Sequence, residues 1–206
     1  MSTAAVSKKR HALRLPAGSV RAIHVLGIVG LVCAIILIPG KNTIPPYLIY
    51  LLFIMLGHYF ASHGVTIATR DEVAPSPLFL PGGTVRVLIM LALGGCIGCK
   101  MYDSAPALYE QFENSLKELK DQPFLPLAIL GGFFLGVIVR SVVGRDNPSA
   151  AWQDIEAWFS LMALIGLAIA AMIHLVIQPS TEVTLMIPTW DACLGGVVAF
   201  YFGERS

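Results

Sequence analysis

Four histidines lie in apolar stretches of this sequence, His24, His58, His63 and His174, and the first three are candidate ligands. His24 lies near the start of the first apolar stretch, and His58 and His63 lie towards the end of the second. Two imidazoles on facing helices at one depth can ligate the iron of a b-type haem. Buried polar side chains also join membrane helices by hydrogen bonds without any cofactor. The sequence offers no repeated histidine pair, so we expect helix joining and no cofactor, with a haem-binding redox subunit as a further alternative.

Two cysteines have the spacing of half a metal or redox site. Cys96 and Cys99 are separated by two residues, as in zinc half-sites and thiol–disulfide motifs. No second pair completes four ligands, so we expect helix packing and no metal. The sequence also has no Gly-x-Ser-x-Gly, His-Glu-x-x-His or phosphate-binding loop. We therefore assign no catalytic residue and expect a protein that is not an enzyme.

Charged residues within or beside apolar stretches are functional candidates, because a membrane disfavours charge. Asp191 is the foremost of these, and Lys100 is its expected partner near the same membrane face. Arg21, Arg86 and Arg140 lie towards the opposite face. These residues could line the polar path of a small transporter or channel. Alternatively, they form polar belts in which the arginines reach lipid phosphates.

The composition indicates what must position these residues. The chain has 206 residues, of which 56% are hydrophobic and 13% are charged, and its mean hydropathy is +0.73. Such a composition excludes a soluble globule, a disordered chain and a small secreted disulfide scaffold. The net charge of +1 gives no reason to expect a nucleic-acid partner. We therefore predict an all-α, polytopic integral membrane protein with membrane lipids as its surroundings.

Six stretches come close to the roughly 20 mostly apolar residues that a membrane-spanning helix needs. The sixth is marginal because Pro188 lies inside it. The first is interpreted as a retained span, since no small-residue cleavage site follows it. The predicted spans are 20–38, 46–67, 83–101, 123–143, 151–177 and 185–202.

The basic residues predict the orientation of these spans. If both termini are cytoplasmic, ten of the fourteen lysines and arginines lie on the inner side, including every arginine. Inner loops of membrane proteins carry this excess of positive charge. We therefore expect a multi-pass protein of a prokaryotic inner membrane with both termini in the cytoplasm.

An internal repeat predicts how the spans are grouped. Residues 15–21 (LPAGSVR) recur as residues 80–86 (LPGGTVR), sixty-five positions later. A Leu-Gly step recurs at Leu56, Leu130 and Leu194 in the even-numbered spans. We infer three tandem helical hairpins. The predicted segments are a basic cytoplasmic segment 1–19, a first hairpin 20–67, a second hairpin 68–143 that includes an outer amphipathic helix 104–122, and a third hairpin 144–206.

We call the two copies of the repeat, residues 15–21 and 80–86, the openings. Each opening has residues suited to the start of a membrane helix. Ser19 and Thr84 are expected to cap the first turns, where backbone N–H groups lack partners. Arg21 and Arg86 follow, where they can reach lipid phosphates. The alternative is an anion site, because a helix start beside an arginine attracts phosphate or carboxylate.

The outer segment has its own apolar stripe. Leu108, Phe112, Leu116 and Leu119 recur at helical spacing, and Glu113 can pair with Lys117. We expect this helix to lie on the outer membrane face or against a partner.

The opening, together with the exit 199–206 (AFYFGERS), resembles a two-span hairpin of small prokaryotic membrane proteins, in which the exit reads Tyr-Phe-Gly-Ser-Arg. The resemblance covers roughly residues 13–64 and weaker stretches elsewhere. The first hairpin departs from the pattern at residues 57–63 (GHYFASH), which place histidine where arginine is usual. The resemblance implies helical hairpins and no particular activity.

Glycines in the spans predict close helix packing, because they let backbones approach one another. Together with the short loops, they favour a non-enzymatic structural, assembly or pore-forming subunit of a homo-oligomer or of a complex with other membrane subunits. The packing glycines are Gly27, Gly30, Gly94, Gly95, Gly98, Gly131, Gly132, Gly136, Gly195 and Gly196.

Overall fold

The structure, a computed structural model, describes residues 13, 15–16, 18–38, 43–61, 78, 80, 83–122, 124–143, 150–177 and 190–204. These residues form helices and no strand, so the all-α prediction is confirmed for the described part of the chain. The helix α5 continues as one π-helical turn at Ile173–Ile177. The six α-helices are α1 (Ser19–Leu37), α2 (Pro46–Ala61), α3 (Thr84–Asp121), α4 (Phe124–Val143), α5 (Ala150–Met172) and α6 (Trp190–Glu204).

Four helices contain stretches that are long and apolar enough to cross a membrane. They are Ser19–Leu37, Thr84–Glu118, Phe124–Val142 and Ala151–Leu175. The helix α2 is apolar but shorter, and α6 has 15 residues. At 1.5 Å per residue α6 is about 22 Å long, less than the roughly 30 Å of a bilayer core. The predicted residues 185–189 at its start lie outside the described part.

Contacts between neighbouring helices show that successive helices run in opposite directions. Arg21 at the start of α1 contacts His58 at the end of α2, so these two helices are antiparallel. The starts of α3 and α5 lie at the same end of the bundle, because Arg86 contacts Phe60 and Asp154 contacts Leu13. The ends of α4 and α6 also lie there, because Arg140 contacts Glu204 and Tyr201 stacks on His24. As a result α1, α3 and α5 run one way and α2, α4 and α6 run the other. We call the two ends of the bundle the arginine end, which carries Arg21, Arg86 and Arg140, and the Asp191 end.

The central helix is α1, which packs against α2, α3 and α5. In the most apolar stretch of α1, 56% is buried, whereas in the most apolar stretch of α3 only 11% is buried. Most of the apolar surface of α3 is therefore left outside the core, as is that of α4 and α5. Fully buried side chains of the core include Val25, Ile28, Leu48, Leu51, Ile129, Leu167 and Phe202.

The helix α3 includes the predicted outer segment. The backbone breaks at Ser104 (φ −164°, ψ 85°), two residues before Pro106. Proline removes a helical hydrogen bond and clashes with the preceding turn, which accounts for the break. After the break, Gln111 Nε2 donates to the Ile35 carbonyl oxygen at 3.3 Å, so the second half of α3 turns across the end of α1.

The predicted apolar stripe is not the face that this second half buries. Leu108 is buried, but Phe112 is 37% and Leu116 58% exposed, whereas Gln111 and Ser115 are buried. Ser115 accepts a hydrogen bond from the Ile44 N–H at 2.8 Å. The polar face points inward because it provides partners for the backbone that links α1 and α2, which leaves Phe112 and Leu116 outside.

The helices α4 and α6 are in close contact through glycine. A methyl group on Gly132 would overlap the carbonyl oxygen of Gly196, and one on Gly136 would overlap that of Phe200. A methyl group on Gly203 would overlap the carbonyl oxygen of Phe133. The two parallel helices therefore pack backbone against backbone, which only glycine permits.

Candidate functional site

The two repeated openings have the same backbone geometry. Gly18 and Gly83 precede α1 and α3 with φ of 81° and 90°, a region that favours glycine. Leu13 and Leu78, five residues before each glycine, both have φ of 56°. The sequence repeat thus produces a repeated local structure, including a leucine conformation that is costly for a side chain.

The prediction that Ser19 and Thr84 cap the first turns is wrong. Gly18 and Gly83 occupy the N-cap positions, and neither helix has a side-chain capping hydrogen bond. Ser19 is fully buried, and its Oγ accepts a hydrogen bond from the Leu78 N–H at 2.9 Å. Ser19 therefore ties the opening of α3 to the start of α1.

The last turn of α2 lies beside the arginines of both openings. Arg21 Nη1 donates to His58 Nε2 at 3.4 Å. The Arg86 guanidinium lies 5.6 Å from the centre of the Phe60 ring, in cation–π geometry. Tyr59, between these two residues of α2, is within electrostatic range of both guanidinium groups. The structure therefore brings together two predicted anchors that are 65 residues apart.

Arg140 has different surroundings at the same end. Its Nη1 donates to the backbone carbonyl oxygen of Glu204 at 3.4 Å. The last carbonyl groups of a helix lack helical partners and favour cations. Asp154, near the start of α5, accepts a hydrogen bond from the Leu13 N–H at 2.6 Å. Arg140 is therefore a cap for α6 and not part of the Arg21–Arg86 pair.

The histidine arrangement does not suit a haem. The His24 ring is buried, and its Nδ1–H donates to the Val20 carbonyl oxygen at 2.8 Å. The rings of His24 and His58 lie 6.0 and 5.8 Å from the same ring, that of the fully buried Phe202. The Phe202 ring therefore packs against both imidazoles. His63, the remaining haem candidate, lies outside the described residues.

The four cysteines are all free thiols. Cys96 is partly buried, beside the buried Cys33 of α1, whereas Cys99 is exposed. Cys33 Sγ donates to the Ala92 carbonyl oxygen at 3.6 Å. Cys193 is exposed on α6. Cys96 and Cys99 thus have different surroundings. No group of three or more His, Cys, Asp and Glu side chains in the described part could hold a metal ion.

A polar network lies at the Asp191 end, where the π-helical turn after α5 meets the second half of α3. Thr43 Oγ1 donates to Glu118 Oε1 at 2.7 Å. Its oxygen lies 3.4 Å from His174 Nε2. Because the hydroxyl proton of Thr43 goes to Glu118, the imidazole N–H is the donor in the second bond. The three side chains form one hydrogen-bonded chain.

Asp191 adjoins this network, and its predicted pairing with Lys100 is not formed. Asp191 lies within electrostatic range of His174 and of Tyr47. The reason is helix adjacency, because α6 packs against α5, α4 and α2, whereas α3 packs against α1 and α2. Histidine therefore replaces lysine as the nearest basic neighbour of Asp191.

The predicted packing glycines divide into two groups. Those that contact a neighbouring helix include Gly27, where an added methyl carbon would lie 3.1 Å from Leu164, and Gly195, where it would lie 3.2 Å from Ile129. Gly132, Gly136 and Gly196 belong to the α4–α6 contact. Those with open space around them are Gly30, Gly94, Gly95, Gly98 and Gly131.

Sequence reasoning missed several polar residues of the Asp191 end. Gln111, Ser115 and Glu118 recur at positions i, i+4 and i+7, which place them on one face of the second half of α3. That spacing was a usable signal for an inward polar face. Thr43 had no such signal, because its role depends on two partners far away in sequence.

Comparisons with known proteins add no family assignment. No protein-family model matches the chain, and neither the curated proteins nor the solved structures include a match. Its function therefore has to be inferred from its own residues and their geometry.

Proposed function

We propose that the chain is a non-enzymatic membrane protein that crosses a prokaryotic inner membrane six times, as three tandem hairpins with both termini in the cytoplasm. The alternation of helix direction supports an even number of crossings. The matching φ angles of Leu13 and Leu78, and the similar φ angles of Gly18 and Gly83, support the repeat. Arg21, Arg86 and Arg140 share one end, as expected of the cytoplasmic side.

The short helices α2 and α6 fit this proposal if the bilayer adapts to them. With 16 and 15 residues, they are about 24 and 22 Å long. A short span is accommodated by thinning of the bilayer or by association with longer neighbours, at a modest cost. The helix α2 packs against α1, α3, α4 and α6, and α6 packs against α2, α4 and α5.

We further propose that the protein is a structural subunit that assembles with copies of itself through one face of α3. The observation that carries this proposal is the glycine face, which we define as Gly94, Gly95 and Gly98. All three are exposed, and an added methyl group at any of them would meet nothing within 4 Å. Leu91, one turn earlier, is 66% exposed.

The α4–α6 contact supports a second copy as the expected occupant of the glycine face. Gly132 and Gly136 are four residues apart, and this spacing seats α4 on a parallel helix. Gly94 and Gly98 have the same spacing, and an added methyl group at either would meet no described residue within 4 Å. In a two-fold symmetric pair within one membrane, two α3 helices would meet in parallel through these glycines.

Oligomer mass and thiol cross-linking test this assembly. The full chain, purified in mild detergent, should have the mass of a dimer or larger oligomer. In membranes, a variant whose only cysteine is Cys99 should form an oxidant-induced covalent dimer, because Cys99 adjoins the glycine face. A variant that retains only Cys193 should not. Both thiols are exposed in the single chain, so exposure alone cannot produce the difference.

Substitutions with leucine separate this face from other exposed glycines. Gly94→Leu together with Gly98→Leu should convert the protein to a monomer. Gly131→Leu is the matched control, since Gly131 is also exposed with nothing within 4 Å. A monomeric wild type, or loss of the oligomer only in Gly131→Leu, would refute self-assembly through the glycine face.

A second candidate function is the passage of protons or small cations, which the network at the Asp191 end favours. Glu118 and His174 are hydrogen-bonded to Thr43 at one end of the apolar bundle, and Asp191 lies within electrostatic range of His174. Ionisable groups in such places commonly belong to ion or proton pathways. Flux into liposomes that contain the protein tests this function, with Asp191→Asn as the variant. Equal flux for wild type and variant would reject it.

A further inference from the structure

Arg86 has a polar group that the described chain leaves without a partner. Its Nη2 is shielded from solvent and makes no hydrogen bond in the described part. The guanidinium lies over the aromatic face of Phe60, 5.6 Å from the ring centre, and within electrostatic range of Tyr59. A buried charged donor without an acceptor is unfavourable. The position therefore calls for an acceptor from outside the described residues.

Arg21 places a second positive charge beside the same turn of α2. Its contact with His58 Nε2 brings no negative charge, because an imidazole that accepts a hydrogen bond from arginine is neutral. Tyr59 lies within electrostatic range of both arginines. Two guanidinium groups therefore lie beside one helix end, within electrostatic range of the same phenol.

We infer that Arg21 and Arg86 form one binding site for a phosphate group, which is supplied by the headgroup of a membrane lipid. A phosphate presents several oxygens, so it can accept hydrogen bonds from two guanidinium forks at once. The arginines lie one turn into apolar helices, at the depth where lipid phosphates lie. Arg140 is outside the site because it is bound to the Glu204 carbonyl oxygen.

The inference depends on the membrane insertion proposed above and not on self-assembly through α3. It differs from general attraction to anionic lipid, which would involve every arginine at this end equally. The proposed site predicts that Arg21 and Arg86 both contribute to lipid affinity and that Arg140 contributes little to it.

Lipid binding to the delipidated full chain in detergent tests the site. Native mass spectrometry should detect a first phosphatidylglycerol molecule that binds more tightly than later ones. Arg86→Gln and Arg21→Gln should each weaken that first affinity about tenfold, through loss of charge-assisted hydrogen bonds. Arg140→Gln is the matched control, with an expected change of less than about twofold. The same titration with inorganic phosphate, followed by thermal unfolding, distinguishes a lipid phosphate from a soluble one.

The outcomes are distinct. Loss of affinity in both site variants with retention in Arg140→Gln supports the site, and competition by millimolar inorganic phosphate would extend it to soluble phosphates. If Arg86→Gln does not fold, Arg86→Lys, which keeps the charge and loses the planar fork, should still bind lipid more weakly than wild type. Equal weakening by all three glutamine variants, or by none, would overturn the inference. Oligomer mass, measured in the same spectra, reports on self-assembly separately.

Discussion

Replacing Gly132 by alanine tests the close packing of α4 on α6. The added methyl group would overlap the Gly196 carbonyl oxygen and lie 3.0 Å from the Gly196 carbonyl carbon and Cα. These are backbone atoms, which cannot rotate away as a side chain can. The two helices would have to separate by about 1 Å before the atoms reach ordinary contact distance.

The neighbouring Gly131 provides a control for everything except this overlap. An added methyl group there meets nothing within 4 Å. Alanine favours the helix over glycine by about 1 kcal/mol at either position, so that contribution cancels between the two variants. The remaining difference is the overpacking cost, about 1–3 kcal/mol. A value of 2 kcal/mol corresponds to a change of roughly 30-fold in the unfolding equilibrium constant.

Reversible unfolding in mixed detergent and SDS micelles, followed by circular dichroism, measures this difference. Gly131→Ala should be as stable as wild type or slightly more stable. Gly132→Ala should unfold at a lower SDS fraction than Gly131→Ala. If the two variants unfold together, α4 and α6 do not pack as described and the glycine argument fails.

Three further substitutions can be measured by the same unfolding assay. Thr43→Val should destabilise the protein by about 1–2 kcal/mol, because Glu118 loses a hydrogen-bond donor. A double-mutant cycle of Thr43→Val with Glu118→Gln that shows no coupling energy would count against the network. Gly83→Ala should lower the free energy of unfolding by about 1–2 kcal/mol through backbone strain at φ 90°, although the added methyl group would clash with no atom. An unchanged unfolding midpoint would contradict the left-handed conformation of Gly83. Lys117→Met should change stability by less than about 0.5 kcal/mol, because its 2.9 Å ion pair with Glu113 is largely exposed, and a larger loss would show that the pair is shielded.

Much of the helical layout could be predicted from residue type along the chain. The predicted span 20–38 corresponds to Ser19–Leu37, and 123–143 corresponds to Phe124–Val143. The Glu113–Lys117 ion pair is confirmed at 2.9 Å. These features are local, because helix ends and i,i+4 pairs depend on residues within one or two turns.

The contacts of the candidate sites could not be predicted in the same way. Asp191 was expected to pair with Lys100, and Ser19 to cap its own helix. Instead, Asp191 faces His174, and Ser19 binds the Leu78 N–H. Both outcomes depend on which helices are neighbours and on how each is rotated about its axis, and no local pattern specifies either.

By itself, the amino-acid order determined where helices form, the repeat of the two openings and the gathering of arginines at alternate helix ends. Only the tertiary structure decided that Gly132 meets Gly196 while Gly94 remains outside, and that Arg21 and Arg86 share one turn of α2. The physical reason is that lipid tails are as apolar as a leucine side chain. In such surroundings hydrophobicity marks a helix but does not distinguish the face that meets protein from the face that meets lipid.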